Sequence, residues 1–410
     1  MDQVVKTKPF NRVLLIVLDS LGVGPCQDSI KYGDEAANTL TSVCRWNKKN
    51  NIELKLSEMS QLGFDKLCPD APFLTHPKPR PTLHGSLEEL SPGKDTTTGH
   101  WEMMGTPLNY EFPTFPKGFK DSFLKPWLKE NSLGGFLGNY PASGTEILKS
   151  LGEKHIETGH PIIYTSADSV LQIACHEEHF GLNKLYSICE SARKLLMDLG
   201  LGRVIARPFL GQNAQNFKRT ENRKDYSLPP PNPNVLDILR EHNHFVAGVG
   251  KIDDIFAHRS VNLSKHTGRN ETSYDAIFEF LEETKNDKGL IFVNLIDFDQ
   301  LYGHRRDPKG YGKALEDFDI FLEKLHPQLD PNTLVILSAD HGNDPLTAGS
   351  DHTREKVPFI AYNPHREELN KNIQTQMGFS HIGRMVLDAL NIKEQTKHTK
   401  ALKPIIQTSE

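Results

Sequence analysis

The segment LVILSADHGNDPLTAGSDHTREKVPFIAY, residues 334–362, carries acidic and imidazole side chains between two apolar runs. Asp340 and His341 are adjacent in it, and His352 follows eleven residues later. Most polar loops of this kind are simply solvated, but this one directly follows an apolar run typical of a buried strand. Divalent metals such as manganese and zinc accept mixed carboxylate and imidazole ligands. These three residues are therefore candidate metal ligands.

Two other apolar runs end in residues of the same kind. The run VLLIVL ends at Asp19, and LIFVNLI is followed by Asp299 and His304. A lone aspartate after a strand can equally cap a turn or a helix. Asp299 and His304 are five residues apart, which is too far for one helical face but suits a loop leaving a strand end.

Together, the three stretches supply three carboxylates and three imidazoles at three strand ends. This set is sufficient for two metal ions, and such a pair stabilises both the attacking and the leaving oxygen of a phosphoryl displacement. The predicted chemistry is therefore phosphoryl transfer.

The stretch SPGKDTTTGHWEMMG offers hydroxyl groups for such a reaction. Thr96, Thr97 and Thr98 are consecutive in it. Gly93 and Gly99 permit a tight backbone at the start of a helix, where amide groups favour phosphate. Coordination to a divalent metal would favour the nucleophilic alkoxide of a threonine. Helix capping is the alternative role, and the missing GxxxxGK[ST] spacing excludes a Walker A loop.

The apolar runs also predict the fold. Continuous runs of this length are typical of strands buried on both faces of a parallel sheet. Amphipathic patterns at 273–283 and 380–390 predict helices between them. The sequence thus predicts an α/β fold, in which ligands bind beyond the carboxyl ends of the strands.

The middle of the chain has a different composition, with many aromatic, proline and glycine residues. The proline-dense segment SLPPPNPN, at 227–234, is typical of a connector. We expect residues 106–231 to form an inserted domain, and 1–105 with 232–410 to form the α/β core.

The composition argues against several classes of partner. The chain has 410 residues with a formal net charge of −5, so it has no overall basic field for nucleic acid or anionic lipid. Its five cysteines form no CxxC pair, which is typical of reduced thiols. The apolar run after KTKPFNR is too short for a secretory core or a membrane span. We expect a cytoplasmic protein acting on a small molecule, with its oligomeric state open and a monomer among the options.

Longer segments of the chain resemble one enzyme family. They include LDSLGVG, GKDTTTGHWEMMG, PASGTEIL, YTSADSVLQIACHEE, GRVIARPF, FKRTENRKDY, DFDQLYGHRRDPKGYGKALEDFD and ADHGNDPLTAGSDHTREKVP. These motifs are similar to those of the prokaryotic phosphopentomutases, within the alkaline phosphatase superfamily, and they span nearly the whole chain. The resemblance implies an alkaline-phosphatase-like core, with a mostly parallel sheet and helices on both faces, plus an inserted α+β cap that sets substrate specificity.

The resemblance also implies a reaction. Phosphate would move reversibly between C1 and C5 of ribose or deoxyribose through a phosphothreonine, with two manganese ions and priming by a sugar bisphosphate such as glucose 1,6-bisphosphate. The first threonine of the family motif KDTxTGH is the nucleophile and matches Thr96. This chain has three threonines in a row, so Thr97 and Thr98 stay as alternatives.

By the same resemblance, Asp19, Asp340 and His341 would bind one metal ion. Asp299, His304 and His352 would bind the other. Substrate contacts match four positions of the cap and one of the core, namely Asp168, Arg203, Ile205, Arg219 and Lys251.

Two alternatives differ in what they require. Another two-metal member of the superfamily, such as a phosphatase or a cofactor-independent phosphoglycerate mutase, would use the same ligands. That mutase, however, carries a serine in an NSEVGH-like motif where this chain has DTTTGH. A non-catalytic protein with structural metals would need no hydroxyl beside its ligands.

Overall fold

The computed structural model describes residues 4–74, 78–166, 169–231 and 233–408. Within them the strands are, in chain order, β1 Val5–Thr7, β2 Arg12–Leu18, β3 Leu83–Glu88, β4 Leu137–Pro141, β5 Ile162–Thr165, β6 Val170–His176, β7 Arg203–Leu210, β8 Lys218–Arg219, β9 Lys224–Ser227, β10 Phe245–Val249, β11 Leu263–Lys265, β12 Gly289–Leu295, β13 Thr333–Ser338, β14 Val357–Tyr362, β15 Lys371–Met377 and β16 Ile406–Thr408.

The α-helices of the same residues alternate with these strands. They are α1 Thr39–Lys49, α2 Ser57–Gln61, α3 Phe64–Leu67, α4 Thr96–Met103, α5 Asp121–Glu130, α6 Gly144–Thr158, α7 Leu182–Leu195, α8 Val235–Glu241, α9 Ile252–Ile255, α10 Asn270–Glu283, α11 Pro308–Leu325, α12 Ser380–Ala389 and α13 Lys397–Ala401. Short 3₁₀ turns lie at Ser29–Tyr32 and His326–Gln328, and π-helical turns at Glu177–Gly181 and Phe298–Gly303. In the part of the chain that the structure describes, no helix combines the length and apolar character needed to cross a bilayer.

The chain divides into two compact units, Met1–Tyr110 with Pro230–Glu410, and Glu111–Pro229. The first unit contains an eight-stranded sheet in the order β11-β10-β12-β2-β13-β14-β3-β15. The first five strands of this order, β11 to β13, are parallel to one another. Strand β14 is antiparallel to both of its neighbours, and β3 and β15 form a parallel pair. The predicted α/β class with a mostly parallel sheet is confirmed.

Strand β2 lies at the centre of this sheet, between β12 and β13. Every residue of the three strands is buried, as expected for aliphatic runs covered on both faces. Leu18 pairs with Leu295, and Val17 pairs with Ser338. This parallel register places the carboxyl ends of all three strands side by side, so the residues that follow them are neighbours in space.

The second unit has a mixed sheet in the order β4-β5-β6-β7-β8, and β9 also pairs with β7. One core cluster joins the sheet to residues of α5 and α7, among them Trp127 and Ile188. A second cluster joins it to residues of α6, among them Ile147. That this unit is a substrate-specificity cap stays a proposal.

Helix α4 begins with the threonine run. Asp95 caps it, because its carboxylate accepts from the Thr98 amide at 3.1 Å and from the Thr98 hydroxyl at 2.5 Å. One turn into the helix, Gly99 packs so closely on the backbone after β13 that an added Cβ would lie 2.2 Å from the Asp340 carbonyl oxygen. Glycine at this position therefore sets how near α4 approaches the strand ends.

Replacing Gly99 with alanine should lower the free energy of unfolding by about 1–3 kcal/mol, because the helix must move away from Asp340. This loss exceeds the ~0.5–1 kcal/mol that alanine gains over glycine in a helix. Urea unfolding of wild type and variants measures the free energy of unfolding. Gly268→Ala is the control, because its added Cβ would meet no atom within 4 Å. Equal stability of the two variants would contradict the packing argument.

Candidate metal centre

Six predicted ligands lie at the carboxyl ends of β2, β12 and β13. Asp19 directly follows β2, and Asp340 follows β13 after one intervening residue. Asp299 belongs to the π-helical turn Phe298–Gly303 beyond β12. Within the described residues, two groups of three potential ligands each have their ligand atoms within 4.8 Å of one another. These groups have the same membership as the two sets implied by the resemblance.

The first cluster is Asp19, Asp340 and His341. The Nε2 atom of His341 lies 3.4 Å from Asp19 Oδ1 and 3.3 Å from Asp340 Oδ2. All three residues are at most 1% exposed. Asp19 Oδ1 and Asp340 Oδ2 are buried oxygens without a hydrogen-bond partner among the described residues. Such orphaned carboxylate oxygens beside an imidazole fit a divalent cation.

The second cluster is Asp299, His304 and His352. The two imidazole Nε2 atoms are 3.1 Å apart, and they lie 3.1 Å (His304) and 3.4 Å (His352) from the Asp299 carboxylate. The rings of His341 and His352 stack with centroids 3.9 Å apart, so the two clusters adjoin. This arrangement fits two neighbouring metal ions.

The interpretation of Asp299 and His304 as members of a simple loop is wrong. The His304 amide donates to the Asp299 carbonyl at 3.0 Å, the i to i+5 bond of a π-helical turn. In that geometry residues five apart lie on one face, which explains how the two side chains converge. π-helical turns are frequent at functional sites.

Backbone carbonyls fix the tautomers of two imidazoles. His341 Nδ1 lies 3.1 Å from the Gly342 carbonyl, and His304 Nδ1 lies 2.7 Å from the Ser350 carbonyl. A carbonyl oxygen only accepts, so each Nδ1 carries a proton and each ring directs its Nε2 atom at its cluster. Both rings are thus oriented as metal ligands.

Three residues that the sequence did not single out support the ligands. Asn294 donates to Asp19 Oδ2 at 3.1 Å, and Asn343 donates to Asp299 Oδ1 at 2.7 Å. His100, which is fully buried on α4, lies 3.4 Å from Asp340 Oδ2. One signal was available, because Asn294 is a polar residue inside the apolar run of β12.

The three carboxylates do not have equal proton affinities. Burial and the negative charges of Asp340 and Asp299 hold the pKa of Asp19 well above its usual value. Burial also raises the pKa of Asp340, but His341 and His100 outweigh it and lower that pKa to about 2. The pKa of Asp299 is well below its usual value, because hydrogen bonds from His304 and His352 outweigh burial. A bound cation would remove the penalty on ionised Asp19.

Thr96 is the first residue of α4, and its hydroxyl lies 3.2 Å from His341 Nε2. The hydroxyl of Thr98 instead donates to the capping carboxylate of Asp95. Asp95 is the N-cap, so the capping role considered for the threonines is wrong: Thr98 only donates to that cap, and the Thr96 hydroxyl faces the first cluster. The geometry favours Thr96 over Thr98 as a nucleophile.

The remaining predicted positions lie on both units, except that Asp168 falls outside the described residues. Lys251 precedes α9 in the first unit, and its charge lowers the pKa of Asp19, so it lies near the first cluster. In the second unit, Arg203 and Ile205 alternate along β7, and Arg219 on β8 pairs with Phe209. The alternation places these three predicted residues on one face of that sheet.

Two further arginines contribute to this face. Arg207 follows Ile205 in the same alternation. Burial and, to a smaller extent, the positive charge of Arg223 lower the pKa of Arg207. Arg223 forms a bidentate pair with Asp225 at 2.7 Å. The face is therefore rich in guanidinium groups, which suits phosphate.

Comparisons with known proteins agree with this chemistry. A family model described as the metalloenzyme superfamily matches residues 11–394. The phosphopentomutase of Colwellia psychrerythraea is 44% identical over 403 residues, with 96% of this chain and 99% of the relative covered. The phosphopentomutase of Caldanaerobacter subterraneus is 47% identical over 386 residues, with 93% of this chain and 94% of the relative covered.

Replacing Asp19 with asparagine should make the thermal stability of the protein independent of added Mn²⁺. In chelator-treated protein the variant should melt above wild type, because no charge is buried beside Asp340. With Mn²⁺ at a hundredfold excess over its Kd, one bound ion stabilises wild type by about 2.7 kcal/mol. The variant should lose this gain.

Asp319→Asn is the control for this prediction. Burial raises the pKa of Asp319 to about 6, but its carboxylate accepts from the Met59 amide and belongs to neither cluster. Its thermal shift with Mn²⁺ should match wild type. Equal metal-induced shifts in all three proteins would remove Asp19 from the ligand set.

Proposed function

Because the chain belongs to the phosphopentomutase family of the metalloenzyme superfamily, and so is an intramolecular phosphotransferase, we propose that it interconverts ribose 1-phosphate and ribose 5-phosphate. The deoxyribose phosphates would react in the same way. The proposed route passes through phosphorylated Thr96, with a manganese ion at each of the two clusters. Five buried free thiols favour a reducing compartment, so we propose a cytoplasmic location.

The observation that supports this route most strongly is the position of Thr96. Its hydroxyl is 3.2 Å from a ligand atom of the first cluster, at the amino end of a helix. Free backbone amides at a helix start favour the phosphate of a phosphothreonine. A structural metal site would not require a hydroxyl there.

The proposed reaction consists of two transfers. Phosphorylated Thr96 gives its phosphoryl group to the free hydroxyl of the sugar monophosphate, which becomes a sugar bisphosphate. The proton of that hydroxyl passes to the threonine oxygen, which becomes a hydroxyl again. The other phosphoryl group of that bisphosphate then returns to Thr96, and the isomeric monophosphate is released. A sugar bisphosphate such as glucose 1,6-bisphosphate would phosphorylate Thr96 initially.

The chain's own residues would contribute orientation and charge. The metal ions, when bound, would act as Lewis acids that neutralise developing negative charge. Lys251 adds a positive charge near Asp19. We assign the guanidinium groups of Arg203 and Arg219 to phosphate recognition, Ile205 to apolar contact with the sugar and Asp168 to its hydroxyls. Exclusion of water would prevent hydrolysis of the phosphothreonine.

The decisive experiment supplies purified protein with Mn²⁺ and either ribose 1-phosphate or 3-phosphoglycerate. We expect turnover of the pentose phosphate alone. Turnover of the glycerate alone would instead indicate a cofactor-independent phosphoglycerate mutase, and release of inorganic phosphate alone would indicate a phosphatase.

Thr96→Ala should lower kcat by about 10³-fold or more, because the nucleophile is lost. Radiolabel from glucose 1,6-bisphosphate should become acid-stable on wild type and be absent from this variant. Thr97→Ala is the matched control and should keep both label and turnover. Strong labelling of Thr96→Ala would show that a neighbouring threonine, Thr97 or Thr98, is the nucleophile.

Arg219→Met should raise KM for ribose 5-phosphate by about tenfold, because one charge-assisted hydrogen bond contributes about 1.5–3 kcal/mol. Steady-state kinetics give the value. Arg45→Met removes another exposed arginine, which pairs with Asp70 in the first unit, and should leave KM unchanged. An unchanged KM in both variants would exclude Arg219 from substrate binding.

A further inference from the structure

Arg354 joins the loop that carries His352 to the loop that leads to Thr96. It lies two residues after His352 and before strand β14. Its side chain is 2% exposed. A guanidinium buried to this extent must direct its N–H groups at acceptors, so its partners show which segments it holds together.

Three of those partners are backbone carbonyls of the nucleophile loop, defined as residues 89–95. Arg354 Nη1 donates to the carbonyls of Ser91 and Gly93 at 2.9 and 2.7 Å, and Nη2 donates to that of Glu89 at 2.8 Å. The position of Gly93 is thus fixed three residues before Thr96.

Two carboxylates fix the guanidinium itself. Asp28 accepts from Nε at 3.0 Å and from Nη2 at 3.3 Å, and Glu89 accepts from Nη1 at 2.5 Å. The five N–H donors of the planar fork make these six contacts, with one Nη1 N–H shared between two acceptors. A lysine ammonium is a compact group with three donors and cannot reproduce it.

A second connection runs in parallel with the first. Asp34 accepts from both the Arg354 amide at 2.9 Å and the Lys94 ammonium at 3.1 Å. Lys94 also lies 3.3 Å from the carboxylate of Asp351, the residue before His352. The nucleophile loop therefore contacts the His352 loop on both sides of that ligand.

The nucleophile loop is also held by α4, the helix that begins with Thr96. Glu102 on α4 accepts from the amides of Leu90 and Ser91 at 2.9 and 2.7 Å. The loop thus contacts both Arg354 and α4. A displacement of Arg354 would be transmitted to the start of that helix, where Thr96 lies.

We propose that Arg354 is a positioning residue that couples the orientation of His352 to the placement of the Thr96 hydroxyl. Binding of a cation by the second cluster would then order the nucleophile loop through Arg354. This inference rests on the proposed function for its kinetic part, but its structural part concerns only cation binding and the order of residues 89–95.

The test uses the full chain loaded with Mn²⁺ and the variant Arg354→Lys. We expect kcat for ribose 5-phosphate to fall about 10–100-fold while KM changes less than threefold, because the nucleophile is displaced and the substrate contacts remain. Hydrogen exchange of peptides covering 89–95 provides the second measurement. Mn²⁺ should slow exchange in wild type and have little effect in the variant.

Arg12→Lys is the matched control. Arg12 is also a buried arginine, and it donates to the Leu281 carbonyl at 2.5 Å and the Asp330 carboxylate at 2.6 Å, outside the nucleophile loop. It should keep wild-type kcat and wild-type exchange at 89–95. If both variants lost activity to the same extent, or if Arg354→Lys behaved as wild type, the coupling would be disproved.

Asp28→Asn provides a second route if Arg354→Lys does not fold. This variant keeps Arg354 but weakens the hydrogen bonds that Asp28 accepts from its Nε and Nη2 atoms. The changes in kcat and in hydrogen exchange should therefore be in the same direction but smaller. Wild-type kcat and exchange in Asp28→Asn would then disprove the coupling. Failure of the proposed function is distinguishable, because wild type itself would not convert ribose 5-phosphate while the effect of Mn²⁺ on exchange could still be measured.

Discussion

Three buried carboxylates at adjacent strand ends repel one another, and this repulsion determines how the surrounding residues are arranged. Asp19 is fully buried, and its neighbours Asp340 and Asp299 are ionised at neutral pH. Like charges at such distances in a region of low dielectric are costly unless cations or imidazoles offset them. The histidines offset part of this repulsion. Bound divalent cations would offset the remaining repulsion, so this arrangement of carboxylates suits metal binding more than stability of the metal-free protein.

Residues outside the clusters hold the ligand-bearing loops against this repulsion. Glu355 accepts from both the amide and the hydroxyl of Thr39, at 2.8 and 2.6 Å, and burial raises its pKa to about 7. Arg306 donates to Asn343 Oδ1 at 2.8 Å, and Asn343 in turn donates to Asp299. Arg306 has a left-handed backbone with φ of 54°, a conformation that costs about 1–3 kcal/mol and persists where its surroundings fix it.

The α/β class and the strands that end at acidic residues could be predicted from the sequence, because a continuous aliphatic run such as β2 indicates a strand buried on both faces. The six candidate ligands could be singled out from their residue types at strand ends, although spacing alone left Asp19 as an equally good cap. Their division into two sets came from the family resemblance. The π-helical turn at Asp299 could not be foreseen, because helical periodicity assumes 3.6 residues per turn. Asn343 and Arg354 were missed since their partners are distant in sequence, and only the folded chain brings them together.

The order of the central strands has a consequence for synthesis of the chain. Strand β2 is translated long before its two hydrogen-bonding neighbours, which begin only at Gly289 and Thr333. Until those segments leave the ribosome, the apolar strand β2 has no partner and is exposed to aggregation. The second unit, whose strands all lie within Glu111–Pro229, has no such delay. Vectorial folding should therefore complete the inserted unit first, and chaperones should protect β2 until β12 and β13 have been translated.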